Sequence, residues 1–112
     1  MQYYIQKIHD ENIEQDLLDY MQDSFPEYEI AYNYATKHSG YFTFKQNGKT
    51  VTEFIITSFF CHGFSMDDKL QKSGFEKQVN RVYRTFMASV FSDYLEEFKN
   101  ETITKQNEHL LG

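Results

Sequence analysis

The sequence predicts an α+β domain, a largely antiparallel sheet of about four strands with two main helices packed on one face. Three observations carry this expectation. Apolar residues recur at three- and four-residue spacing between Ile13 and Phe25 and again from Phe75 to Phe98. Between these segments, apolar and polar residues alternate. Within the alternating region, Asn47 and Gly48 form the pair that a two-residue type I′ turn prefers, because both residues tolerate positive φ.

Taken in order, residues 2–8, with Tyr3, Tyr4, Ile5 and Ile8, read as a short first strand. Asn12 or Asp10 then offers an N-cap for a helix that buries Ile13, Leu17, Leu18, Met21 and Phe25 and is closed by Pro26. Residues 28–35 follow as a strand whose Tyr28, Ile30, Tyr32 and Tyr34 share one face. The Asn47-Gly48 turn then joins two strands and sets a register with Phe44 opposite Val51, Thr43 opposite Thr52 and Phe42 opposite Glu53. That register places Phe42, Phe44, Val51 and Ile55 against the helices. Periodicity fails between Ser58 and Gly74, which reads as an irregular connection with Ser65 as a cap and one helical turn near Asp67–Gln71. One long helix then carries Phe75, Val79, Tyr83, Phe86, Val90, Tyr94 and Phe98 on its apolar stripe.

The chain divides into a single globular unit over residues 1–99 and a polar C-terminal tail over 100–112, for which frayed helix, a late strand at Thr102–Thr104 and disorder are all open. Strand, helix, three strands and a helix are similar in outline to ferredoxin-like split βαβ folds, and an outline of that kind supports no particular function.

At 112 residues the chain can bury a single core without disulfides or a structural metal. Nine Tyr and eleven Phe with no Trp and one Pro give a composition that an AT-rich coding sequence produces, which points to a small microbial, plasmid or phage genome. A formal charge of −6 disfavours wrapping bare nucleic acid and favours a basic partner surface. Cys61 stands alone and cannot form an internal disulfide, which fits a reducing compartment. The N-terminal MQYYIQKIHDEN has no basic segment followed by an apolar core, and no apolar run reaches the roughly 20 residues that span a bilayer. The expected location is cytoplasmic.

Catalytic chemistry finds little support. The five glycines never approach the spacing of a phosphate-binding loop. His9, His38, His62, His109 and Cys61 show no pair at zinc-site spacing, and Cys61 and His62, being adjacent, diverge on a strand. Asp67-Asp68 and Glu96-Glu97 are sequence neighbours that diverge on a helix, so a carboxylate dyad would have to assemble across elements. The expectation is no catalytic residues, no metal and no cofactor.

Two charge blocks say more. Between Lys7 and Lys37 lie eight acids with no Lys or Arg among them. Of these, Asp16, Asp19 and Asp23 form a stripe on the polar side of the first amphipathic helix, and Glu27, Glu29 and Tyr20 extend it. Such a stripe is either a solvated helix face or a docking surface for a cationic groove, where carboxylates take the places of phosphates. The second block packs Lys69, Lys72, Lys77, Arg81 and Arg84 into sixteen residues, with Lys77, Arg81 and Arg84 on one helix side. It either balances the acidic excess or contacts phosphates.

The leading expectation is a small acidic, non-catalytic protein-binding module, an inhibitor or regulator that docks its acidic helix on a basic, nucleic-acid-processing partner. In size and charge alone the chain resembles small phage-encoded inhibitors of host nucleases, anti-CRISPR proteins among them. One alternative is a nucleic-acid or phosphate-binding regulator acting through Lys77, Arg81 and Arg84. Another is an accessory subunit or homodimer that uses its aromatic surface. The turn assignment is directly testable: Gly48→Val puts a β-branched residue at positive φ and should cost about 1–2 kcal/mol in a denaturant titration.

Overall fold

Tyr4, Ile5 and Ile8 fall on one side of a helix, whereas a strand would split Ile5 from the other two. In the computed structural model, which describes residues 4–101, all three are buried on helix α1, Tyr4–Asp10. The expected strand over 2–8 is therefore helical from residue 4, and residues 2 and 3 lie outside the described ones. Helix formation wins because it buries three large side chains where a strand face would bury two.

Helix α1 ends in a Schellman motif. The Ile13 N–H bonds the Ile8 carbonyl at 2.9 Å and the Asn12 N–H bonds the His9 carbonyl at 3.3 Å, with Asn12 left-handed at φ 57°. Asn12 thus terminates one helix rather than capping the next, and neither it nor Asp10 is the N-cap that the sequence suggests. Helix α2, Glu14–Ser24, starts from Ile13 without a side-chain cap. Its stability rests on burial of Leu17 and Met21, with Phe25 sealing the end.

Strands β1 (Glu29–Thr36), β2 (Ser39–Gln46), β3 (Lys49–Ile56) and β4 (Cys61–Phe64) form one antiparallel sheet in the order β1-β2-β3-β4. The α+β class with a four-stranded antiparallel sheet is as expected. Neighbours follow chain order, so the sheet is a meander without the crossover of split βαβ topology. The two-residue turn is present, with Asn47 at φ 54° and Gly48 at φ 77°.

The register beyond that turn departs from expectation. Gln46 pairs with Lys49 and Lys45 with Thr50, but Phe44 then pairs with Thr52, leaving Val51 as the extra residue of a β-bulge. Phe42 accordingly faces Phe54 rather than Glu53, and Thr43 faces Glu53. Without the bulge, the charged Glu53 would share the core face with Phe42 and Phe44. With it, Thr52, Phe54 and Ile56 enter the core, while Ile55, expected inside, is 45% exposed on the opposite face.

The stretch expected to be irregular contains β4, paired with β3 from Ile56↔Cys61 to Glu53↔Phe64, and helix α3, Asp68–Lys72. Asp67, not Ser65, caps α3, accepting the Leu70 N–H at 2.8 Å. Strand β4 is too short and glycine-interrupted to show a period of its own. What holds it is helix α4, Phe75–Val90, whose Asn80 amide donates to the Cys61 carbonyl and accepts the Cys61 N–H, both at 2.8 Å. One turn earlier, Glu76 accepts the Gly63 N–H at 2.6 Å, and one turn later the Tyr83 hydroxyl donates to the Thr57 carbonyl at 2.9 Å.

The long helix of the sequence is two helices. Helix α4 stops at Phe91, whose backbone is extended, and a further helix, α5, runs over residues 94–101 of the described chain. The Asp93 carbonyl accepts the Glu97 N–H at 3.1 Å, which puts an acidic residue at the N-cap position where it is favoured. The break takes Val90 off the core, 39% exposed, and lets Tyr94 turn back so that its hydroxyl reaches the Phe59 carbonyl at 3.2 Å. Residues 100 and 101, assigned to the tail, continue α5, and the strand considered at Thr102–Thr104 lies outside the described residues. No helix among the described residues is long and apolar enough to cross a membrane.

Aromatic rings make the core. Phe44 meets Phe25, Tyr28, Phe54 and Phe75 with ring centroids 5.5–5.9 Å apart, mostly edge-on. A second group joins Tyr4 to Phe59, Phe91 and Tyr94. Among these rings the fully buried Thr52 hydroxyl has no hydrogen-bond partner. A buried unmet hydroxyl costs roughly 1–3 kcal/mol, so Thr52→Val, which keeps the branched shape, should stabilise the fold by about 1 kcal/mol and raise its melting midpoint by several degrees.

Candidate protein-docking surface

Helix α2 is amphipathic, and its phase decides which acids are available. Burial of Leu17 and Met21 turns Asp16, Asp19 and Asp23 to the far side, where all three are exposed. Gln15 donates to the Asp19 carboxylate at 2.8 Å, leaving the stripe without a basic neighbour on its own helix. Tyr20 borders the stripe. Its ring packs on Phe86 of α4 with centroids 5.8 Å apart, yet it remains 39% exposed.

Glu27 and Glu29 follow through a turn held by one side chain. Gln22 donates to the Tyr28 carbonyl at 2.6 Å and accepts the Ile30 N–H at 2.9 Å, tying the end of α2 to the start of β1. Glu27 is exposed in that turn. Glu29 is exposed too, but it points to the sheet face away from the helices, directly opposite Lys45. The helix stripe, Tyr20 and Glu27 thus belong to the helical side, and Glu29 does not. Glu14, one of the eight acids of the run, turns inward, with a carboxylate oxygen buried and unpartnered.

The basic block is divided between two helices. Lys69 and Lys72 lie on α3, and the left-handed Gly74 separates them from Lys77, Arg81 and Arg84 on α4. Lys77 and Arg81 are exposed. Arg84 is half-buried, its guanidinium 5.2 Å from the centre of the Phe98 ring, a cation–π contact that occupies part of its surface.

The titratable groups with nucleophilic or ligating chemistry are dispersed. Cys61 is buried on the core face of β4, and His62 is exposed on the other. Burial pushes the Cys61 thiol well above its ordinary value, more than the nearby Arg84 pulls it down. Among the described residues no three His, Cys, Asp or Glu gather where they could hold a metal ion. His109 lies outside them.

Sequence reasoning missed one polar contact entirely. His9 Nε2 and the Tyr32 hydroxyl are 2.5 Å apart, joining α1 to β1, and the His9 ring stacks against Tyr34 at 4.4 Å. Burial, with the Glu14 carboxylate and Tyr34 adding to it, raises the Tyr32 hydroxyl above the ordinary phenol range. Gly40 on β2 lets the ring in, because a Cβ there would collide with the end of Tyr32. The partners are separated by 23 positions, so no local pattern announces them.

No known family model, curated protein or solved structure matches this chain. The geometry of Cys61 has a measurable consequence. In the native protein an alkylating reagent should react with it far more slowly than with a free thiol, and at the ordinary rate once the protein is unfolded, as followed by mass spectrometry.

Proposed function

We propose that the protein is a small, acidic, non-catalytic binding module that docks the Asp16–Asp19–Asp23 side of α2 on a basic partner surface, one that otherwise receives nucleic acid. The observation that carries this reading is the helical phase of α2. Its apolar side is consumed by the core, and three carboxylates with the half-exposed Tyr20 ring beside them face outward. An aromatic anchor flanked by charge suits a protein interface, where rings supply buried area and charges supply orientation and encounter rate. Glu27 extends the anionic surface, while Glu29 contributes only to a partner that reaches around the start of β1. An inhibitor of a nucleic-acid-processing enzyme, encoded by a phage or mobile element and acting in the cytoplasm, fits this chemistry.

The second reading, a phosphate or nucleic-acid contact, rests on the exposure of Lys77 and Arg81. With Arg84 partly engaged by Phe98, two free cations offer little counterion release.

Changing Asp16, Asp19 and Asp23 together to Lys brings the formal charge from −6 to about zero while leaving Leu17 and Met21 in place. The fold should survive. Capture of the partner from lysate of the source cells should be lost, and wild-type capture should weaken with salt, since charges are screened beyond about 10 Å at 0.1 M. Lys77, Arg81 and Arg84 changed to Glu should leave capture intact. Capture that survives the aspartate change and fails with the basic one, together with retardation of DNA or RNA by the wild type, would establish the second reading instead.

A further inference from the structure

The two edges of the sheet are treated unequally. On β4, the outward-facing backbone groups of Cys61 and Gly63 are met by Asn80 and Glu76 of α4. On β1, the Ile30 N–H is met by Gln22 and so points away from β2. Backbone groups of alternate residues in a strand point the same way, so those of Tyr32 and Tyr34 face outward as well. Gln22 reaches only Ile30 and the residues before it.

The side chains along this edge lack the usual deterrents. Residues 30–36 carry no charge and no proline, and the irregularity in the β1–β2 pairing comes only after Tyr34. Tyr34 is 64% exposed, the most exposed of the large apolar side chains given for the fold. Its ring is already positioned by His9. Charges resume on either side, with Glu29 before the segment and Lys37 after it, both exposed.

We propose that this edge pairs with the β1 edge of a second copy of the chain, antiparallel and two-fold symmetric about Asn33. In that register, Tyr32 of each copy lies opposite Tyr34 of the other. The two residues whose backbone groups face outward can then exchange N–H to carbonyl bonds in both directions, and Ile30 keeps its bond to Gln22. The same register sets Ala31 opposite Ala35, which are small, and Asn33 opposite its own copy, which is neutral. It brings Glu29 of each copy alongside Lys37 of the other, so both ends close on opposite charges. A shift of one residue in either direction loses the match between outward-facing backbone groups and these charge pairs together. The occupant is therefore this chain itself, and the product is a continuous sheet across the two-fold axis.

Sedimentation velocity over a range of protein concentrations should show a monomer passing to a dimer and stopping there. Hydrogen exchange at the Tyr32 and Tyr34 amides should slow as the dimer forms. Lys37→Glu places like charges at both ends and should weaken the dimer by about tenfold at low salt, taking 1.4 kcal/mol per factor of ten over the two pairs. Glu29→Lys combined with Lys37→Glu should restore it. A monomer at every concentration would overturn the proposal, as would open-ended association or exchange at Tyr32 and Tyr34 that ignores concentration. So would a dimer that is abolished by Ile55→Lys on the open sheet face yet indifferent to Lys37→Glu.

Discussion

A sheet that is covered on one face must sort every side chain of every strand correctly, because a slip of one residue turns the whole strand inside out. In this fold that requirement falls on the pairing of β2 with β3. The Asn47-Gly48 turn brings the strands together in a register that would carry Glu53 inward, and the extra residue at Val51 corrects it within two positions of the turn. Phe54 and Ile56 can then meet Phe42, Phe44 and Phe75. The aromatic core, and through it the seating of α2 and α4, depends on that one inserted residue. The unmet Thr52 hydroxyl accompanies the same rearrangement, since the bulge carries a polar residue inward with the apolar ones.

Helix α4 has two tasks on one surface. Phe75, Val79, Phe86 and Met87 bury their side chains in the core, and Glu76, Asn80 and Tyr83 bond the backbone of β4 and the loop before it. Asn80 is suited to this because its amide has a donor and an acceptor side by side, matching the N–H and carbonyl of one strand residue. A four-residue strand with a glycine would otherwise contribute little to the sheet, and its free edge would invite pairing. At the other end of the sheet Gln22 plays the same part over a shorter span.

The acidic surface follows from this packing. Because α2 lies against β1 and α4, its orientation is fixed, and the carboxylates on its outer side are displayed as a rigid array rather than a fluctuating one. Electrostatic attraction at longer range needs only the sign and concentration of charge, and Tyr20 adds a ring that is half-committed to Phe86 and half-available. The balancing cations sit on other helices, with Arg84 drawn toward Phe98.

Class, hairpin turn, amphipathic phase of α2 and the outward stripe of Asp16, Asp19 and Asp23 were all legible in the sequence, because each depends on residues a few positions apart. Turn chemistry and helical periodicity are local, and the sequence by itself determined them. It also carried signals that competing patterns obscured: Tyr4, Ile5 and Ile8 suit a helix as well as aromatic strand composition, and Ser92-Asp93 marks a helix start inside a run of apolar spacing. Tertiary structure alone decided the bulge at Val51, the existence of β4, the inward turn of Glu14 and the contact of His9 with Tyr32. Each of these is settled by which buried face or distant hydrogen-bond partner is available. The cost of a buried charge at Glu53, or of unmet backbone groups at Cys61, exists only once the rest of the chain has excluded water around it.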